Sequence, residues 1–241
     1  MSSRVLVVNP NTSERCSAVI RSAALRQAGP ELVVEVATAS EGPPYVETLR
    51  DEVVAASAVV RLVEESMDDA EGAFDALVIA CSSDPGLEAV RDTFPSIPVV
   101  GIGESALLLA RGTGHPYGIL TNVQGDESYM WEMAKRYGLQ AELVAVEAAG
   151  FTVEDFDLGR EGTREALLDS GRRAVEAGAR SLCLGCAAMA SFDQELRQTL
   201  NVPVFEGVAS AMRLVNVYLH LQPSTVAPPS RARNAAKDST R

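Results

Sequence analysis

The stretch ALVIACSSDPGLEAVRDTFPSIPVVGIGESA, residues 76 to 106, can be laid without a gap on SLCLGCAAMASFDQELRQTLNVPVFEGVASA, residues 181 to 211. One constant offset, the separation of Cys81 from Cys186, also brings Pro98 onto Pro203, Val99 onto Val204, Ser105 onto Ser210 and Ala106 onto Ala211. Self-similarity at a fixed offset means that one supersecondary unit is built twice. Each copy reads strand, cysteine, turn, helix, a second strand opening on Pro-Val, and a further helix. Upstream, YGILT and NVQGDE stand in the second copy where VLVV and NPNTSE stand in the first. The chain is therefore expected to form two similar halves, residues 1–105 and 106–207, with a closing helix over 208–221 that returns to the first.

The remaining pattern says what kind of half this is. Short β-branched runs fall at 4–9, 31–39, 75–81, 97–102, 117–121, 141–148, 180–186 and 202–207, and helical segments lie between most of them. That alternation predicts α/β architecture with mainly parallel sheets. In such sheets ligands bind at the carboxyl ends of the strands. Two halves related by a pseudo-twofold axis would face each other across a cleft, with the two repeated cysteines opposed. The first helix is readable in detail: Asn11 and Glu14 have capping-box spacing, and Cys16, Val19, Ile20 and Ala23 recur on one apolar stripe. Cys16 is therefore expected in the core, and Asn11 and Thr12 are explained as a helix cap. Gly29-Pro30 closes this helix, and a second is expected over residues 46–69 after the Gly42-Pro43-Pro44 break.

Composition excludes several partners. The 241 residues carry a formal net charge of -12, with 46% hydrophobic and 22% charged residues. Nucleic acid and anionic membrane surfaces need a cationic face, which this chain lacks. No apolar run approaches the ~18 residues of a membrane span. The start, Met1-Ser2-Ser3-Arg4-Val5, has no signal-type n-region and h-region, so a cytoplasmic location is expected. Residues 222–241 hold Arg231, Arg233, Lys237 and Arg241 diluted in Pro, Ser and Ala, and read as a solvated, disordered tail. The four cysteines, Cys16, Cys81, Cys183 and Cys186, are not a disulfide framework in a cytosolic chain of this size.

Cys81 and Cys186 each fall at the end of an apolar strand before a small polar turn and a helix, where backbone N–H groups and the helix dipole favour a thiolate. A single free cysteine is usually a small buried hydrophobe, but recurrence at one position of a repeat argues for function. Cys183 and Cys186 form C-L-G-C along a strand, which puts the two side chains on opposite faces; Cys183 is read as core packing. No metal is expected, because there is no second C-x-x-C and His115 and His220 lack ligand spacing. GIGES, residues 101 to 105, matches a phosphate loop only in part, with no G-x-G-x-x-G and no P-loop lysine, so nucleotide binding is weakly supported. Two opposed thiols need no cofactor to invert a stereocentre: one thiolate takes a proton from an acidified carbon and the other thiol returns one on the opposite face. The enolate formed between these steps needs aligned donors, for which Ser82, Ser83 and the N–H groups of Ala187 and Ala188 are suited.

VNPNTS, EGPPYVE (41 to 47), CSSDPGLEAVR with PVVGIGESA, and LGCAAMA together resemble the aspartate/glutamate/hydantoin racemase superfamily, in particular its hydantoin and allantoin racemase branch. The resemblance implies two Rossmann-like (flavodoxin-like) halves, cofactor-independent racemisation of a small molecule in the cleft between them, and a homo-oligomer. Carried over to this chain, Cys81 and Cys186 are the two bases, while Asn9, Ser82, Ser83, Thr121, Ala187 and Ala188 hold the carbonyl oxygens and ring amides. Ser82-Ser83 replaces the family's frequent aromatic and glycine, and Ala188 replaces a glycine, so the substrate is less fixed than the chemistry. The expected reaction is inversion at C5 of a hydantoin- or allantoin-like ring. The alternatives are an amino-acid racemase, an arylmalonate-type decarboxylase, a maleate isomerase, or a non-catalytic two-lobed binding protein.

Overall fold

The computed structural model describes residues 2–69 and 73–221. The tail expected to be disordered, 222–241, lies outside the described residues. Two four-stranded sheets are present and every strand pair is parallel. The first has the order β2-β1-β3-β4, from β1 (Ser3–Asn9), β2 (Leu32–Thr38), β3 (Ala76–Ile79) and β4 (Val99–Gly101). The second repeats it as β6-β5-β7-β8, from β5 (Tyr117–Thr121), β6 (Leu143–Ala148), β7 (Ser181–Leu184) and β8 (Val204–Phe205). Seven of the eight strands fall within the runs read from the sequence, and β1 begins one residue before its run, at Ser3. The repeat holds at the level of single hydrogen bonds: Leu77 N–H donates to Pro98 O at 2.9 Å, and Leu182 N–H to Pro203 O at 2.9 Å.

Both faces of each sheet are covered, which is why the strands read as continuous apolar runs. On the first sheet, α1 (Glu14–Gln27) packs Ile20 and Ala23 against Val5, Val7 and Val78. On the other face α2 (Leu49–Asp69) and α3 (Leu87–Thr93) cover Leu6, Val8, Leu77 and Ile79 with Val59, Val63, Leu87 and Val90. On the second sheet α7 (Thr163–Glu176) lays Leu167 and Ala174 over Leu120, Leu182 and Leu184. Its opposite face takes Met130, Met133 and Ala134 of α5 (Glu127–Arg136). Cys183 is in this second core, 2% exposed, its thiol directed to Ala106 O at 3.4 Å. Among the described residues no helix is long and apolar enough to cross a membrane.

The halves exchange a helix. α4 (Ile102–Arg111) follows β4 of the first sheet but packs Ala106, Leu107 and Ala110 on Tyr117 and Ile119 of the second. α9 (Gly207–Leu221) follows β8 of the second sheet but packs Val208, Ala211, Met212 and Val215 on the first. The two helices meet closely: a Cβ on Gly207 would lie 3.1 Å from Ile102 Cβ and from Ile102 O, so a side chain there would force the crossing apart by a few tenths of an ångström. Each exchanged helix has its first turn held by a buried carboxylate. Asp84 accepts from Gly103 N–H at 2.9 Å and Glu104 N–H at 2.7 Å; Glu206 accepts from Val208 N–H and Ala209 N–H, both at 2.7 Å. The donors are repeat-equivalent, whereas the acids come from different positions. Asp84 stands where the second copy has Met189, and Glu206 stands where the first has Gly101.

Candidate active site

A cavity of about 570 Å3 lies between the carboxyl ends of the two sheets. Its wall follows a simple rule: the chain contributes side chains one or two residues after a strand has ended. Asn11 is two past β1, Cys81 two past β3, Cys186 two past β7, and Asn122 one past β5, and all four line the cavity. Ser82, Ser83, Ala187 and Ala188 also line it.

Asn9 and Thr121 do not. Each is the last residue of its strand, each is completely buried, and neither borders the cavity. This corrects the expectation that they reach a substrate. The Asn9 amide donates to Asn11 Oδ1 at 3.0 Å, Ser17 Oγ at 2.9 Å and Ser13 O at 3.2 Å, and its own oxygen accepts from Asn11 N–H at 3.2 Å. Its side chain is fully engaged in shaping the turn. The cap residue of α1 is Ser13, whose hydroxyl accepts from Cys16 N–H at 3.2 Å, so the role read for Asn11 and Thr12 belongs one or two residues later. Asn11 borders the cavity while its Oδ1 accepts from Ser13 N–H at 2.9 Å, and Cys16, expected to be core, borders the same cavity although only 3% exposed.

The two cysteines sit differently in their turns. Cys186 is the N-cap residue of a 3-10 helix, Ala187–Phe192. Cys81 precedes a turn in which Asp84 N–H returns to Cys81 O at 3.0 Å, and α3 begins only at Leu87. Asp84 is held with φ 52, a left-handed conformation that aspartate tolerates better than most residues. That turn is clamped by the other half: Tyr137 O–H donates to Asp84 Oδ2 at 2.7 Å and Arg136 Nη2 donates to Ser83 O at 3.3 Å. The second half also contributes α6 (Val153–Asp157), where Asp157 accepts from Ser13 Oγ at 3.1 Å and Tyr45 O–H at 3.0 Å, and Val153 N–H donates to Glu47 Oε1 at 2.6 Å. The cavity is thus walled by both halves and tied across them.

Burial of the sulfur is the largest influence on both thiols and pushes both up. For Cys81 the Ser83 hydroxyl and N–H oppose it; for Cys186 the Ala188 N–H does. Cys81 is raised further by Asp84 and Glu52 of its own half, whereas Cys186 senses the other half and is raised further by Cys81, Cys16 and Glu47. Burial likewise pushes Cys16 up to about 11. The helix-terminal donors expected to favour a thiolate are present, but desolvation outweighs them, and both cysteines rest as thiols. The Cys81 Sγ to Ser83 Oγ distance is 3.5 Å.

Three polar atoms in the wall are left without a partner among the described residues: Ser82 Oγ and Asn122 Nδ2, in residues that are each 4% exposed, and Tyr129 Oη. Buried donors of this kind cost about 1–3 kcal/mol unless something accepts from them. The acidic side chains Glu47, Glu52, Asp126 and Glu132 also border the cavity, and among the described residues no lysine, arginine or histidine does. Sequence reading missed all four, together with Asn122, because they come from separate segments with no shared spacing. No group of three or more His, Cys, Asp or Glu among the described residues is placed to hold a metal ion.

Two like α/β halves, each presenting a repeat-equivalent cysteine to one shared cavity, define a two-lobed protein with a paired-thiol site. The chain belongs to the Asp/Glu/hydantoin racemase family, whose pattern matches residues 5–215. It is 32% identical over 223 residues to hydantoin racemase of Pseudomonas sp. (strain NS671), covering 92% of this chain and 88% of that protein. Allantoin racemase from Klebsiella pneumoniae superposes with a TM-score of 0.84 at 29% identity, covering 91% of this chain and 89% of that one. The allantoin racemase of Pseudomonas fluorescens gives 0.82 at 30% identity, over 93% and 95%.

Proposed function

We propose that the protein is a cofactor-independent racemase that inverts the C5 stereocentre of a hydantoin- or allantoin-like ring, with Cys81 and Cys186 as the acid–base pair. The observation that carries this reading is that the two repeat-equivalent thiols, one from each half, line the same cavity. Racemisation needs one deprotonated and one protonated thiol. The C5–H bond breaks toward the thiolate, its electron pair passes into the adjacent carbonyl, and the enolate carbon then takes the proton of the opposite thiol. The enzyme ends with the two roles exchanged.

The raised thiols suit this chemistry. A thiolate formed in a desolvated site is a stronger base than one in water, and the carbon acid is weak. Because both cysteines rest protonated, one must first release its proton to water in the cavity. The unpartnered donors of Ser82 and Asn122 are suited to the developing enolate oxygen, in a site where such hydrogen bonds count for more than in water. The absence of cations from the lining favours a ring that arrives uncharged. A dicarboxylate, such as an arylmalonate or an acidic amino acid, would meet the carboxylates of Glu47, Glu52 and Asp126, with no cationic side chain among the described lining residues.

The test is incubation of single-enantiomer hydantoins in D2O with wild type, Cys81→Ser and Cys186→Ser, following optical rotation and deuterium uptake together. Racemisation should be lost in both variants, with exchange surviving from one enantiomer in each and from opposite enantiomers in the two. Wild-type racemisation by both variants would show that these thiols are not the acid–base pair.

A further inference from the structure

The acidic lining has no counterpart in the chemistry of C5 inversion, which uses the thiols and the donors around the ring. Glu47 and Glu52 enter from the first half, on the segment leading into α2 and on its first turn; Asp126 and Glu132 come from the second, before and within α5. The cavity therefore takes carboxylates from both walls. Lys135 satisfies Glu132 at 3.4 Å. Arg136 acts on Glu52 through space, but its guanidinium is directed to Ser83 O and lies 5.1 Å from the Tyr137 ring centroid. Neither Glu47 nor Asp126 has a lysine or arginine partner among the described residues. Burial first, then the charges of Glu127 and Glu47, push the Asp126 carboxyl up to about 6.

A separate feature marks the cavity as built for a ligand. Asn122 Nδ2 is a buried donor with no acceptor, on the same wall and in the residue that ends the strand connection before Asp126. Asn122 and the carboxylates of Glu47, Glu52 and Asp126 line one cavity, so a ring held at Asn122 shares that space with them. We propose that the ring's substituent is cationic: the preferred substrate is a hydantoin whose C5 side chain ends in an ammonium or guanidinium, the hydantoin of a basic amino acid. Glu47, Glu52 and Asp126 set that preference. The inference rests on the racemase reading above and names the substrate class within it.

A charge-assisted hydrogen bond in a partly desolvated site corresponds to about a 10–100-fold preference over an uncharged isostere. The experiment compares kcat/KM for racemisation of enantiopure hydantoins carrying aminobutyl, guanidinopropyl, pentyl, ureidopropyl and carboxyethyl groups at C5, alongside calorimetric binding of the same five. The two cationic compounds should lead pentyl and ureidopropyl by about 10–100-fold, carboxyethyl should be the poorest, and added salt should shrink the advantage. In Glu47→Gln and Asp126→Asn the ratio of cationic to pentyl substrate should fall about tenfold each. The glutamine keeps an oxygen for Val153 N–H, and a ratio measured within one variant is insensitive to the amount of folded protein. Equal or better use of pentyl or ureidopropyl overturns the inference and leaves racemisation standing. Cationic preference in binding with no turnover or exchange of any hydantoin supports the charge assignment and overturns the racemase reading.

Discussion

The Cys81 turn is held by a buried carboxylate that bridges the two halves, and removing one atom from its partner measures what that bridge is worth. In Tyr137→Phe the phenol oxygen that donates to Asp84 Oδ2 at 2.7 Å is gone, while the ring keeps its packing. Asp84 retains Gly103 N–H and Glu104 N–H. Burial pushes its carboxyl up to about 7, and the three hydrogen bonds, Tyr137's first among them, already pull against that rise. A hydrogen bond to an ionised group contributes about 1.5–3 kcal/mol, so its loss should raise Asp84 by a further one to two units or so. The sign follows from proton binding. The folded protein holds a proton on Asp84 over a pH range in which the unfolded chain, titrating near ~4, does not. The stability this confers is complete below that value and is lost as pH rises through about 7. In the variant the loss continues to higher pH. The difference between the two proteins should therefore be small at pH 5.5 and grow to about 1.5–3 kcal/mol at pH 9. Urea unfolding at the two pH values reads it directly. A stability difference that is the same at both, or larger at the acidic one, would refute the assignment of an ionisable, inter-half bridge at Asp84.

Two further perturbations address the turns on either side of the cavity. Asn9→Ala removes three donated hydrogen bonds and one accepted one from a fully buried network, so it should cost about 3 kcal/mol of stability; a variant of normal urea midpoint with a selectively reduced kcat would instead return Asn9 to the substrate. Asp84→Ala should destabilise by a similar amount, and Gly101→Glu alone should do so too, because a Cβ there falls 2.4 Å from Asp84 Cγ. Combined, they should recover at least about 1 kcal/mol relative to the sum of the single changes, by supplying the α4 carboxylate from the position that Glu206 occupies for α9; additivity in the double-mutant cycle would sink that idea.

The parts of the fold that sequence made readable are those set by repetition and period. The eight strands are short apolar runs bounded by turns, and the offset between Cys81 and Cys186 carries both thiols and the flanking Ser82, Ser83, Ala187 and Ala188 to one cavity. What failed was resolution at a strand end. Asn9 and Thr121 are the last ladder residues of β1 and β5, and the inward turn happens just beyond them, so Asn11 and Asn122 border the cavity instead. A one-residue shift reverses which side of a strand a residue faces, and no pattern in NPNTSE reports where the ladder stops. Cys16 shows a different limit. Its apolar stripe correctly places it inward, but periodicity does not distinguish a packed core from the wall of a cavity. The thiol state was not legible for a third reason: local sequence displays the N–H groups that favour a thiolate, whereas the burial that outweighs them is set by the tertiary fold.

The carboxylates that cap α4 and α9 show why even a gapless repeat conceals part of its own structure. Each exchanged helix must bury its first turn between the halves, where orphan N–H groups have no water to bond, and each solves this with an acid. The second copy supplies it from the strand end, Glu206, two residues before the donors it caps. The first supplies it from the cysteine turn, Asp84, and leaves Gly101 bare because the incoming carboxylate occupies the space a side chain would need. Aligned by sequence, the pairs Asp84/Met189 and Gly101/Glu206 look like two unrelated differences; in space they are one exchange. The choice has a consequence for the site. Drawing the acid from the cysteine turn ties Cys81 to α4 and, through Tyr137, to the opposite half, whereas the Glu206 carboxylate caps α9 from outside the Cys186 turn. The Cys186 turn is tied to the opposite half by other means: Ala190 lies in the first core with Ile20 and Ala23 of α1, and Ala187 packs against it. One thiol is thus positioned by a hydrogen-bonded carboxylate and the other by apolar contact.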